Sequence, residues 1–162
     1  MYYTTVTIHV FAALLWLGGM FFLAVVGAPV LRRIEDARLR RDLFKQLGVQ
    51  FRNVGWITIG VLLVTGLLNM HFRGVLSWPL LSEPAFWATR YGTALGWKLG
   101  AVAVMLGIQA VHDFWLGPAS SRAEPGTPGA IVLRRRAALL ARLNALVGVV
   151  LVIAAVRLAR GG

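Results

Sequence analysis

Long apolar runs alternate with short polar segments along the chain. Four stretches are apolar over the roughly 20 residues that an α-helix needs to cross about 30 Å of hydrocarbon. They run from about Thr5 to Leu31, Val54 to His71, Tyr91 to Leu116 and Ala138 to Val156. The only ionisable group inside the first is His9. The second and third carry Gly55, Gly60, Gly66, Gly96, Gly100 and Gly107, poor helix formers in water but good close-packing residues between helices in a bilayer. The first stretch lacks a basic leading region and runs too long for a cleaved signal peptide, so it reads as a retained helix. Residues 35–52 show a different pattern. Leu39, Leu43 and Leu47 form one stripe among basic residues, as in a helix lying at an interface. Residues 118–129, with three prolines and two glycines, read as an exposed turn. No clear internal repeat stands out. The expectation is an all-α polytopic membrane protein: one four-helix transmembrane domain over residues 1–162.

Composition agrees. Apolar residues are 58% and charged residues 14% of the 162 positions, with a mean hydropathy of +0.72, against about 45–50% and 25% in soluble domains. That excludes a soluble globular or a disordered chain. The net charge of +11 would suggest nucleic acid in a soluble protein, but here it is distributed by loop. Arg32, Arg33, Arg38, Arg40, Arg41, Lys45 and Arg52 follow the first span, and Arg122, Arg134, Arg135 and Arg136 follow the third. Only Arg73, Arg90, Arg157 and Arg160 fall on the other side. Basic residues collect on the cytoplasmic side, so both termini are expected outside, in the periplasm of a bacterial inner membrane, and the partner is a lipid bilayer rather than nucleic acid. Cysteine is absent, which leaves no disulfide, thiolate metal site or covalent haem attachment.

Ionisable residues inside spans are functional candidates by default. His9 lies about one turn below the outer end of the first helix, His71 at the outer end of the second, and Lys98 about two turns below the outer end of the third. Two histidines on facing helices can ligate a b-type haem in a bundle. On that reading His9 and His71 are the iron ligands, Lys98 balances a propionate, and Trp16 and Trp97 pack around the ring. The function is then electron transfer, quinone-linked or within a larger membrane assembly or homo-oligomer. Copper is the competing chemistry, because Cu(I) takes imidazole and thioether ligands and Met70 adjoins His71. A third reading is a cofactor-free structural subunit. Lys98, Met105, Gln109 and His112 share a face of the third helix. For His112 two readings stand: a second ligand or proton path through Gln109 toward the cytoplasmic side, and a surface ion pair with Asp113. Asn69, Thr58, Thr65 and Asn144 are expected to hydrogen-bond between helices.

The string His9-Val-Phe-Ala-Ala-Leu-Leu-Trp16-Leu-Gly18-Gly19-Met20, with Ala28-Pro29 beyond it, resembles the first helix of the copper-resistance D (CopD) family. Gly92-Thr-Ala-Leu-Gly-Trp97-Lys98-Leu99 resembles a later helix of the same superfamily. The HemJ-type protoporphyrinogen oxidases look related. The resemblance implies copper uptake on the CopD side, and b-type haem with porphyrinogen oxidation on the HemJ side. His9 matches the early-helix histidine and Lys98 the later lysine. The enzymatic possibilities it leaves are a protoporphyrinogen oxidase and a quinone-linked oxidoreductase.

Overall fold

A computed structural model describes residues 1–124 and 126–161, apart from the side chain of Ser121. Among the described residues it is all helical, and four helices are long and apolar enough to cross a membrane: Tyr2–Arg32, Ala37–Phe72, Arg90–Ser120 and Pro128–Ala159. With this composition the chain is a multi-pass membrane protein. The spans overshoot the apolar stretches because an intact helix continues into its polar ends. The amphipathic segment is the clearest case: residues 37–52 form the first turns of a helix that continues unbroken through the second span.

The chain divides into two compact units, Met1–Leu81 and Ser82–Gly162. The first is a hairpin. Helix α1 (Tyr2–Phe22) passes through a π turn (Leu23–Gly27) into α2 (Ala28–Arg32), and α3 (Ala37–Phe72) returns against it. Asp36 starts α3: its carboxylate accepts from the Arg38 N–H at 2.7 Å and the Leu39 N–H at 3.1 Å, satisfying donors that a helix start leaves bare. These backbone donors, Leu39 foremost, hold the exposed Asp36 carboxyl below its ordinary pKa. Helix α3 stops at Gly74, which takes φ +68°. The Gly74 N–H then reaches the His71 carbonyl and the Val75 N–H the Met70 carbonyl, both at 2.9 Å. This double closure is a Schellman end. Two short helices, α4 (Trp78–Ser82) and α5 (Pro84–Ala88), lead to the second unit.

The second unit repeats the plan. Helix α6 (Arg90–Ala110) passes through a π segment (Val111–Leu116) into α7 (Gly117–Arg122), and α8 (Pro128–Ala159) returns against it. Thr89 caps α6 through the Gly92 N–H at 3.0 Å, and Thr127 caps α8 through the Ala130 N–H at 3.3 Å.

The two units correspond position by position. Pro29 and Pro118 lie 89 residues apart, and each directly follows a helix N-terminal residue preceded by a π turn. The cause is shared. A proline ring inside a helix collides with the carbonyl four residues back, and a π turn re-registers the ladder at that point. Thus Ala28 N–H bonds Leu23 O, and Gly117 N–H bonds His112 O, five residues back in each case. At the same spacing, Tyr2, Thr4, Ala12, Leu17, Gly18 and Arg33 recur as Tyr91, Thr93, Ala101, Leu106, Gly107 and Arg122. Buried positions on the returning helices match as well: Gly55 with Asn144, Ile59 with Gly148 and Thr65 with Ala154. The chain therefore contains a duplicated hairpin, which residue identity alone leaves below notice.

Candidate functional site

In the first unit, polar side chains tie α1 to α3 at the end where the chain begins. His9 Nδ1 lies 2.8 Å from Thr65 Oγ1, and Thr65 Oγ1 donates its one proton to the Val61 carbonyl at 2.6 Å. The threonine oxygen therefore accepts, and His9 carries its proton on Nδ1. That tautomer puts the ring's lone pair on Nε2. Gly66 gives the imidazole its place: a Cβ there would stand 3.5 Å from His9 Cε1. Toward the end of the hairpin, the Thr5 hydroxyl lies 2.7 Å from Asn69 Oδ1 and 2.8 Å from the Tyr2 carbonyl. Arg73 Nε donates to the Tyr2 hydroxyl at 2.8 Å. Thr58 instead donates within its own helix, to the Val54 carbonyl at 2.7 Å.

These pairs fix the register: residue 9 faces 65, 5 faces 69 and 2 faces 73. His71 therefore stands opposite residue 3, about 9 Å along the axis from the level of His9. It is exposed, and its ring lies against Phe72 with centroids 5.8 Å apart. The hairpin does not bring His9 and His71 together. Nor does it leave a macrocycle's space between them, because the two helices are in direct hydrogen-bonding contact there. Haem b between this pair of ligands does not fit. The tryptophans divide too. Trp16 is buried, 4% exposed, and its Nε1 has no hydrogen-bond partner among the described residues. Trp97 is 70% exposed and projects outward. Lys98 and Met70 are half-buried, and Lys98 occupies in the second hairpin the position that His9 holds in the first. No cluster of three or more His, Cys, Asp or Glu able to hold a metal is present among the described residues.

The second unit carries its polar groups at the opposite end of its hairpin. Asn144 Nδ2 on α8 donates to Gln109 Oε1 at 2.6 Å, and Gln109 Nε2 donates to Asp113 Oδ2 at 2.7 Å. His112 Nδ1 lies 2.8 Å from Asp113 Oδ1. Asn144, Gln109 and Asp113 are 2%, 6% and 7% exposed. The His112–Asp113 pair, read from sequence as a surface ion pair, thus has its carboxylate inside the hairpin. Met105, Gln109 and Asp113 recur at four-residue spacing and are all buried, so Asp113 follows them onto the face that packs against α8. A buried aspartate could be suspected from the i, i+4 spacing of Gln109 and Asp113, but hydropathy does not report which polar residues of a span turn inward.

The sequence profile of the family described as Copper resistance protein D matches residues 45–158. The chain belongs to the CopD family. The matched region spans α3 to α8, with Met70, His71, Lys98 and the Asn144–Gln109–Asp113–His112 network inside it, and leaves His9 outside. An uncharacterized protein of Aquifex aeolicus (strain VF5) is 32% identical to this CopD member over 111 residues, covering 68% of the chain and 66% of that relative. No solved structure matches the chain.

Proposed function

We propose that this CopD-family protein handles copper in a bacterial inner membrane, with the metal as cargo and His9 as its ligand near the outer surface. The observation that carries this reading is the 2.8 Å contact between His9 Nδ1 and Thr65 Oγ1, whose hydroxyl proton goes to the Val61 carbonyl. Metal-ligating histidines characteristically donate the ring N–H that does not face the metal to a fixed acceptor, and a neutral imidazole with its lone pair on Nε2 is the form a metal requires. Imidazole suits Cu(I), as does the thioether of Met70, which sits with His71 at the end of α3. The eleven basic residues that gather at the turn ends of the two hairpins, from Arg32 to Arg52 and from Arg122 to Arg136, support a periplasmic location for both termini and for the His9 end of the first hairpin.

The test is Cu(I) binding by the detergent-purified protein under reducing conditions, read by competition with a chromogenic chelator. His9→Gln is expected to abolish binding, and Thr65→Val to weaken it by about 10- to 100-fold, the usual effect of removing a ligand's outer partner. Unchanged affinity in His9→Gln overturns the reading. A haem α-band in the dithionite-reduced purified protein, lost in His9→Gln, would replace copper with haem held by a different second ligand.

A further inference from the structure

We propose that His112 and Asp113 form a proton-binding site at the basic end of the second hairpin, held in place by Gln109 and Asn144. This site is independent of the copper reading and uses none of its residues. Its geometry is directional. Asn144 donates to Gln109, Gln109 donates to one carboxylate oxygen of Asp113, and His112 Nδ1 meets the other. Every donor in the chain points at Asp113, the arrangement an ionised carboxylate requires, since it only accepts. The imidazole then carries its proton on Nδ1 and its lone pair on Nε2. His112 is half-buried, so that nitrogen is within reach of water at the end of the span. A proton arriving at Nε2 makes an imidazolium beside the carboxylate. Transfer of the Nδ1 proton to Asp113 Oδ1 leaves a neutral acid and the other neutral tautomer. In either form the pair has gained one proton and lost its net negative charge, and the hydrogen bonds around it survive. The two groups titrate together as one site.

Two further observations point to an occupant. The Asn144 side chain is buried, yet its Oδ1 has no hydrogen-bond donor among the described residues, an acceptor suited to a water that carries a proton inward. The pair also lies on a π segment, a distortion that recurs at functional positions in helices. In the first hairpin the equivalent positions are Leu23 and Ala24 on the π turn, Met20 for Gln109 and Gly55 for Asn144. The fold does not need these polar groups, because its other copy does without them.

The elements adjoining the π segment are α6, α7 and α8. Their charged side chains on this half are Arg122, Arg134, Arg135, Arg136 and Arg142, all exposed. Lys98 is about 21 Å along the helix from His112, and Arg90 and Arg157 lie at the far end. Glu124, between α7 and α8, is exposed as well. The charges around the pair thus face outward, leaving Asp113 as the buried anion of this half.

The full chain in nanodiscs, labelled with ¹⁵N-histidine, tests the proposal. It holds three histidines, so His9→Gln and His71→Gln assign the His112 signals. The expected result is an Nδ1–H tautomer of His112 at neutral pH, with Nε2 gaining a proton reversibly as the pH is lowered. In Asp113→Asn the tautomer preference is lost, because the carboxylate that accepts the Nδ1 proton is gone. An Nε2–H tautomer in the wild-type protein overturns the proposal, and so does a tautomer preference unchanged in Asp113→Asn. The wild-type tautomer decides by itself if that variant does not fold.

Discussion

Removing one amide at a time from the buried network tests whether it stabilises the second hairpin in the order that the geometry dictates. Gln109 makes two bonds, accepting from Asn144 at 2.6 Å and donating to Asp113 at 2.7 Å. Gln109→Leu therefore strips a donor from a buried carboxylate and leaves the Asn144 Nδ2 without its acceptor. Side-chain hydrogen bonds between membrane helices are worth about 0.6 kcal/mol on average and up to about 1.7. Bonds to a charged group lie higher, at about 1.5–3 kcal/mol. Together these give a cost of about 2–4 kcal/mol. Asn144→Leu breaks only the first bond: it removes an Oδ1 that is buried without a donor but leaves Gln109 Oε1 in the same state. These two changes offset each other, so the cost is that of one neutral bond, about 0.6–1.7 kcal/mol. Reversible unfolding in mixed micelles of mild detergent and SDS, followed by helical circular dichroism, measures both. The reasoning fails if Asn144→Leu costs as much as Gln109→Leu, or if Gln109→Leu costs less than about 1 kcal/mol.

Other positions give sharp outcomes. At Gly92 an added Cβ meets the Phe86 carbonyl and the Trp87 Cα, both backbone, so Gly92→Ala is expected to cost about 3 kcal/mol or more and to lower yield in a thermal-shift assay. Gly19→Ala meets Phe51 Cε2 at 2.6 Å, the far end of a ring that can turn, and in the same assay it costs about 1 kcal/mol. Because its pKa is lowered on folding, Asp36 contributes to the start of α3 above its ordinary value of 3.8, and the contribution disappears as pH falls through the lowered one. Hydrogen exchange at the Arg38 and Leu39 amides is expected to stay slow well above pH 3.8 and to accelerate in more acidic buffer. In Asp36→Ala it is fast throughout.

Hydropathy made the four spans legible because lipid demands an apolar surface along the whole crossing. Polar residues inside the spans stood out for the same reason, and His9, Asn69, Thr65 and Asn144 do meet partners across their hairpins. Three features stayed hidden. The axial register of α1 against α3, which separates His9 from His71, is set by which small and polar residues interlock, and one-dimensional depth counts each helix from its own end. The π turns answer a local clash at Pro29 and Pro118, and they alter side-chain direction without altering hydropathy. The duplication is masked because lipid-facing positions accept any of several apolar residues, so few identities survive and the shared plan shows mainly in the prolines, the π turns and the spacing of buried positions.

The duplicated hairpin also bears on how such a protein changes size. A segment that crosses twice returns to the side from which it left, so a tandem copy leaves every later residue facing its original compartment. A single copied span inverts all that follows it. Each hairpin here is such a two-crossing unit. His9 and Lys98 hold equivalent positions, each near the start of its own hairpin, while the His112 network lies toward the turn of the second. Once copied, one hairpin could acquire chemistry near its start and its sibling near its turn, with no change in the orientation signal carried by the basic residues.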